Sequence, residues 1–149
     1  GGRVIARPYL PGLPLAPATL EGAPGDEAGA HVAELAGSRS WRLAFDASYE
    51  GALSVGIGSG SGLAITLEEG RLTVDLTATR YPHGGRRVVT LEPGEARRVE
   101  ILHDRSITEI YLGDGSRVFT TRSFLNGDGS GVTLTGAASV TNASAARAD

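Results

Sequence analysis

Residues 99–124 read Val-Glu-Ile-Leu-His-Asp-Arg-Ser-Ile-Thr-Glu-Ile-Tyr-Leu-Gly-Asp-Gly-Ser-Arg-Val-Phe-Thr-Thr-Arg-Ser-Phe. Three short apolar runs are divided by Asp104-Arg105-Ser106 and by Gly113-Asp114-Gly115-Ser116. Such a pattern predicts a meander of antiparallel strands, because the side-chain period is two and the separating residues favour turns. Asp114-Gly115 between two apolar runs predicts a tight hairpin, since a type I′ turn needs positive φ at both central residues. Alternation puts Ile107, Glu109 and Tyr111 on one face and Thr108, Ile110 and Leu112 on the other.

The same grammar extends outward. Strand-like runs are expected at 31–36, 40–48, 52–58, 63–67, 71–77, 87–91, 96–103, 107–112, 117–122, 131–135 and 138–142, with Gly, Pro, Asn and Asp between many of them. His31–Leu35 and Glu95–Arg98 also admit a helical reading, but both are too short for an independent helix. Many short strands at even spacing predict an all-β, two-layer antiparallel β-sandwich of jelly-roll or concanavalin-like kind. No repeat of propeller length is visible. Five of the seven prolines fall in the first 24 residues. Proline lacks the amide donor, so residues 1–30 read as an extended linker kept out of a sheet interior. The organisation expected is therefore a linker over 1–30, a sandwich over 31–142 and a frayed Ala-rich tail over 143–149.

Composition removes several functions. The 149 residues suit about one domain. The absence of Cys excludes a disulfide scaffold, a zinc–thiolate site and a Cys nucleophile. A net charge of −3 argues against nucleic-acid binding, which needs a basic stripe. No apolar run reaches the ~20 residues of a membrane helix, and no signal peptide is visible. Compartment stays open between a bacterial cytoplasm and secretion. All 14 basic residues are Arg, and the chain opens Gly-Gly without any Met, which suggests an excised or processed piece.

The candidate motifs are mostly structural. Gly56, Gly58, Gly60 and Gly62 alternate, but the third glycine of a dinucleotide fingerprint falls on Ser61 or Leu63 and there is no Walker Lys. His31, His83 and His103 lack metal-ligand spacing, so no metal or other cofactor is expected. His103 reads as the cap of the Asp104 turn. Asn126-Gly127-Asp128-Gly129 lacks the full calcium-loop ladder and reads as turn chemistry.

Asp104, Arg105, Glu109 and Arg122 are the charged group of interest. Glu109 lies among apolar neighbours and must face outward or be paired. Read functionally, it is a catalytic acid. Read structurally, it pairs with Arg105 or Arg122, or contacts a neighbouring domain. The structural reading is preferred, because a retaining glycosidase needs a second carboxylate about 5 Å away in a cleft. Tyr81 and Trp41 are candidates for stacking on sugar rings, with core packing the preferred reading for Trp41, which shares its alternation with Leu43 and Phe45.

The order Asp104-Arg105-Ser106, Glu109, Asp114-Gly115, Phe119-Thr120-Thr121-Arg122 resembles the C-terminal β-sandwich of family 32 glycoside hydrolases: β-fructosidases such as invertases, levanases and sucrose-6-phosphate hydrolases. Val32-Glu34-Leu35, Leu72-Thr73-Val74-Asp75 and Arg3-Val4-Ile5-Ala6-Arg7-Pro8 add weaker similarity. Leu76 and His103 depart from the family pattern, where a basic and an apolar residue are usual. The resemblance implies an enzyme with an N-terminal five-bladed catalytic propeller. There an Asp nucleophile sits in Asn-Asp-Pro-Asn-Gly, a stabilising Asp in Arg-Asp-Pro and an acid/base Glu in Glu-Cys. None of these motifs occurs in this chain, so no catalytic residue carries over. The implied role is an accessory module, inactive alone, that packs on the propeller as partner and stabilises it, sometimes shaping oligomers. The alternative is an independent carbohydrate-binding module for fructans or sucrose, and a third reading is a purely structural sandwich.

Overall fold

The computed structural model describes residues 12–58, 62–76, 85–113, 117–122 and 131–149. Its strands are β1 (Ala16–Pro17), β2 (Leu20–Glu21), β3 (Ala30–Val32), β4 (Ser40–Ile57), β5 (Leu63–Glu68), β6 (Arg71–Asp75), β7 (Arg86–Thr90), β8 (Arg98–Asp104), β9 (Ile107–Leu112), β10 (Arg117–Arg122) and β11 (Val132–Arg147). Every pairing is antiparallel.

Two long strands organise everything else. The first half of β4 pairs with β8, and β9 and β10 follow outward. Its second half pairs with β5, followed by β6 and β7. β11 runs along both halves of β4 and carries β3 and β1 on its other side. The two halves face each other across one apolar cluster. Trp41, Leu43, Phe45, Val99, Ile101 and Leu112 enter it from one layer, and Leu53, Val55, Ile65, Leu67, Leu72 and Leu134 from the other. Burying such side chains contributes about 1.5–3 kcal/mol each. The architecture is thus the expected all-β antiparallel sandwich.

Several local expectations are corrected. Runs 40–48 and 52–58 are one strand, because the inward set Trp41, Leu43, Phe45, Ala47, then Leu53, Val55, Ile57 keeps its parity through Glu50-Gly51. The runs 131–135 and 138–142 likewise join, and the 143–149 tail is no tail. β11 continues to Arg147, and Ala145 is buried. Asn142 explains the misreading. At the register shift between Thr141 and Ser144, three steps along β11 answer two along β4, and Asn142 has φ 52. One extra residue reverses the alternation. The inward set therefore changes from even numbers at Val140 to odd at Ala143 and Ala145.

The terminus is clasped rather than loose. Ser38 Oγ donates to Asp149 Oδ1 at 2.6 Å, and the Arg39 amide to Oδ2 at 2.8 Å. Ser38 is buried, so the pair cannot be exchanged freely for water. Asp149→Ala is expected to cost about 1 kcal/mol and to raise amide exchange at Arg39. Exchange and urea midpoint equal to those of the parent chain would contradict the clasp.

The Pro-rich segment is also drawn in over its described part. Pro17 pairs with Ser144 on an edge, where a missing donor is tolerated. The Thr19 amide donates to Glu34 Oε1 at 2.8 Å, and that bond holds the Glu34 carboxyl below its usual range. His31–Leu35 is not a helix but the end of β3 and a 3₁₀ turn, Ala33–Leu35. The expected Asp114-Gly115 turn lies outside the described residues, although β9 and β10 do pair, with Leu112 opposite Arg117.

Candidate functional site

Three of the four charged candidates come together on one outward face. Register places Asp104, Ile107 and Arg122 side by side across β8, β9 and β10. Glu109 stands one row further, between Leu102 and Thr120. Asp104 accepts a hydrogen bond from Ser40 Oγ at 2.7 Å. Among the described residues no ion pair joins Glu109 to Arg105 or Arg122. Arg122 stands diagonally across from Glu109 on the neighbouring strand. Arg105 instead serves through its backbone. It is the first residue of the two-residue β8–β9 turn with φ 58, and its amide donates to Arg39 O at 2.9 Å.

This face is apolar as well as charged. Ile107 is 38% and Val118 47% exposed, and β10 ends the layer. On the same outward side, toward β4, Leu102 and Ala44 are buried although they lie outside the core cluster. There Arg42 bonds the Leu13 carbonyl and pairs with Glu100 at 2.7 Å. The N-terminal segment therefore reaches onto this side of the sheet. Sequence reasoning found Glu109 but missed Arg42. Its signal was the Arg42/Glu100 pair at outward positions of two adjacent strands, visible only once their register is known.

Trp41, proposed above as a sugar platform, is wholly buried and cannot stack on an external ring. Its indole lies 5.4 Å from the His103 imidazole, centroid to centroid. Trp41 Nε1 is the buried side-chain donor without a partner among the described residues. His103 does not cap the turn. It faces inward opposite Trp41, and its Nδ1 is 2.8 Å from Thr108 Oγ1. Burial, opposed by the Asp104 charge, pushes its pKa down to about 4. Tyr81, His83 and Asn126-Gly127-Asp128-Gly129 lie outside the described residues. His31 is exposed, with Nδ1 3.3 Å from Thr133 Oγ1. No three metal-ligating side chains cluster among the described residues, and no helix there is long and apolar enough to cross a membrane.

A second feature had no sequence counterpart. Where β4 turns from one layer to the other, a cleft of roughly 540 Å³ opens, lined by Asp46, Tyr49, Glu69, Arg97, Arg98 and Thr141 among others. Asp46 Oδ2 accepts from Asn142 Nδ2 at 2.8 Å and Oδ1 from Arg98 at 3.2 Å. The Asn142 amide, with help from Arg98, holds the Asp46 carboxyl below its usual range. Tyr49 Oη donates to Ala96 O at 2.7 Å, and burial together with the Glu69 charge raises its pKa.

Comparison with known proteins places this fold. The sequence profile "Glycosyl hydrolases family 32 C terminal" matches residues 25–148. Sucrose-6-phosphate hydrolase from Lactobacillus gasseri superposes with a TM-score of 0.69 at 19% identity, covering 91% of this chain and 28% of that one. A family 32 glycoside hydrolase from Bifidobacterium adolescentis gives 0.61 at 16% identity, over 91% and 22%. The Bombyx mori β-fructofuranosidase gives 0.59 at 17%, over 89% and 27%. The chain thus spans about a quarter of the length of these enzymes. No curated protein sequence matches.

Proposed function

Because the chain belongs to the family of C-terminal domains of family 32 glycosyl hydrolases, we propose that it is the non-catalytic accessory sandwich of an enzyme acting on β-fructofuranosides such as sucrose or fructans. Its work is to brace that enzyme's catalytic propeller. The observation that carries this reading is the coverage: nearly the whole chain corresponds to about a quarter of each related enzyme. The remainder of such an enzyme must hold the chemistry, since the three catalytic motifs have no counterpart in these 149 residues.

The docking face is the outward side of β8, β9 and β10. Isolated exposed apolar residues are ordinary on a protein surface. Here Ile107, flanked by Asp104 and Arg122, and Val118, opposite Tyr111, stand on either side of the Glu109–Thr120 row beside a sheet edge, a mixed apolar and charged face of the kind found in domain contacts. Burying both apolar side chains against a partner contributes a few kcal/mol, enough to stabilise a propeller that is marginal alone.

The test mixes the chain with the separately produced propeller of its parent. Binding is expected to raise the temperature at which fructosidase activity is lost. Ile107→Lys with Val118→Lys should weaken binding at least about tenfold while leaving the chain's own unfolding midpoint within a few tenths of a kcal/mol. A propeller equally stable and active with and without the chain would defeat the bracing role. Undiminished binding by the double variant would defeat the assigned face.

A further inference from the structure

The cleft at the bend of β4 lies on none of the strands assigned to docking except the start of β8, and the bracing role makes no use of it. We propose that it is a binding site for a neutral, hydroxyl-rich saccharide, with the Asp46 carboxylate and the Arg98 guanidinium as its polar centre. This site is independent of the propeller-facing surface and of any aromatic stacking on Trp41.

Its construction begins with Asn142. A non-glycine residue with φ 52 is uncommon, and Asn is among the few side chains that tolerate it. The bulge there could end with its side chain in solvent. Instead the amide is delivered onto a carboxylate that lines an open cleft. An uncommon backbone state that positions one polar group beside a cavity is an observation from which a function can be inferred.

The donor and acceptor inventory then selects the ligand. A carboxylate offers about four acceptor positions, and the bonds from Asn142 and Arg98 occupy two. Asp46 is 41% exposed, so the remaining capacity is accessible. Arg97 and Arg98 each carry several donors, of which Arg98 spends one on Asp46. Acceptors and donors therefore stand within one side chain of each other. Adjacent sugar hydroxyls, each both donor and acceptor, match that arrangement.

Charge balance disfavours ions. The lining holds two carboxylates, Asp46 and Glu69, and two guanidinium groups, Arg97 and Arg98. An anion would meet both acids, and a cation both arginines. Tyr49, half-buried against the core, completes this part of the lining. Its hydroxyl is already committed to Ala96, which fixes the ring in place. The cleft volume falls in the ordinary range for small-molecule sites, ~300–1,000 Å³.

The experiment titrates the full chain, 15N-labelled, with sucrose and with inulin-type fructo-oligosaccharides, beside maltose, sodium phosphate and calcium chloride. Saturable shifts are expected at the amides of Asp46, Arg98, Thr141 and Asn142 with one or more of the sugars. Sucrose or the fructo-oligosaccharides acting alone would identify fructosides as the ligand, and maltose acting equally would identify saccharides in general. Asn142→Gly keeps the backbone state and removes the amide, so the chain should fold while sugar affinity falls about tenfold. Arg98→Gln should weaken binding by a similar factor. Absence of saturable shifts with every sugar, saturation by phosphate or calcium instead, or unchanged affinity in both variants would each overturn the proposal. None of these outcomes bears on whether the chain stabilises a propeller, which is read from a different assay.

Discussion

Replacing Gly136 by alanine is expected to destabilise the chain by at least about 3 kcal/mol, and to abolish folding if the parent stability is modest. Gly136 has φ 126, a region accessible in practice only to glycine. A Cβ at this position would lie 2.1 Å from the Ala52 carbonyl oxygen. That neighbour is backbone of the strand paired with β11, so it cannot swing aside as a long side chain would. The position also sits at the register shift where β11 passes from one layer to the other, and its amide donates to Pro24 O at 2.9 Å. Strain there falls on both layers at once. A urea titration of Gly136→Ala measures the effect. A midpoint reduced by the equivalent of less than about 1 kcal/mol would show that the two long strands can part at the bend without loss, contrary to the architecture described. The contrast is Gly70, where a Cβ meets nothing within 4 Å and alanine should be tolerated.

Acidification should produce the second large effect. His103 is buried, and its pKa is pushed from 6.5 down to about 4, chiefly by burial. Between those values the unfolded chain binds a proton at His103 that the folded chain does not. Stability therefore falls as pH drops from about 6.5, and by pH 4 the loss approaches about 3 kcal/mol from this residue alone. Above pH 6.5 both states hold a neutral imidazole and the contribution is flat. Glu34, Asp46 and Asp149 have depressed carboxyl pKa values, so their stabilisation is also lost on acidification, beginning within the ordinary carboxylate range. The double variant His103→Leu, Thr108→Val separates the two sources. It replaces both partners of a buried hydrogen bond by apolar groups, which is close to neutral at pH 7. Its stability should stay level from pH 7 to about pH 5, where the parent declines. Parallel pH profiles for the two proteins would show that His103 is protonated without cost.

Particular residues show how much of this could be read in advance. Ile107 to Leu112 alternates cleanly into two faces, and the structure buries the one formed by Thr108, Ile110 and Leu112. Glu109 was correctly set on the opposite face, yet its partners were not legible. Arg122 lies diagonally from Glu109 on the neighbouring strand as Arg42 does from Glu100, yet only Arg42 pairs, so the choice of partner rests on side-chain direction that strand alternation does not carry. Trp41 illustrates the same limit from the apolar side. Its alternation with Leu43 and Phe45 allowed a core position, but a sugar platform stayed possible until the opposing layer was seen to cover it. His103 was misjudged because a polar residue at the end of a strand reads as a turn cap. Only the second layer turns that position into an interior one.

The sequence alone determined the antiparallel β class, most strand positions and the absence of the fructosidase catalytic motifs, because period-two alternation and turn residues are local properties. The tertiary structure alone decided that four predicted strands are two, that Asn142 reverses the inward face of β11, and that Asp46, Arg98 and Asn142 converge. These depend on pairing between segments about 50 to 100 residues apart, and long-range register comes from packing the two layers together, not from any local signal.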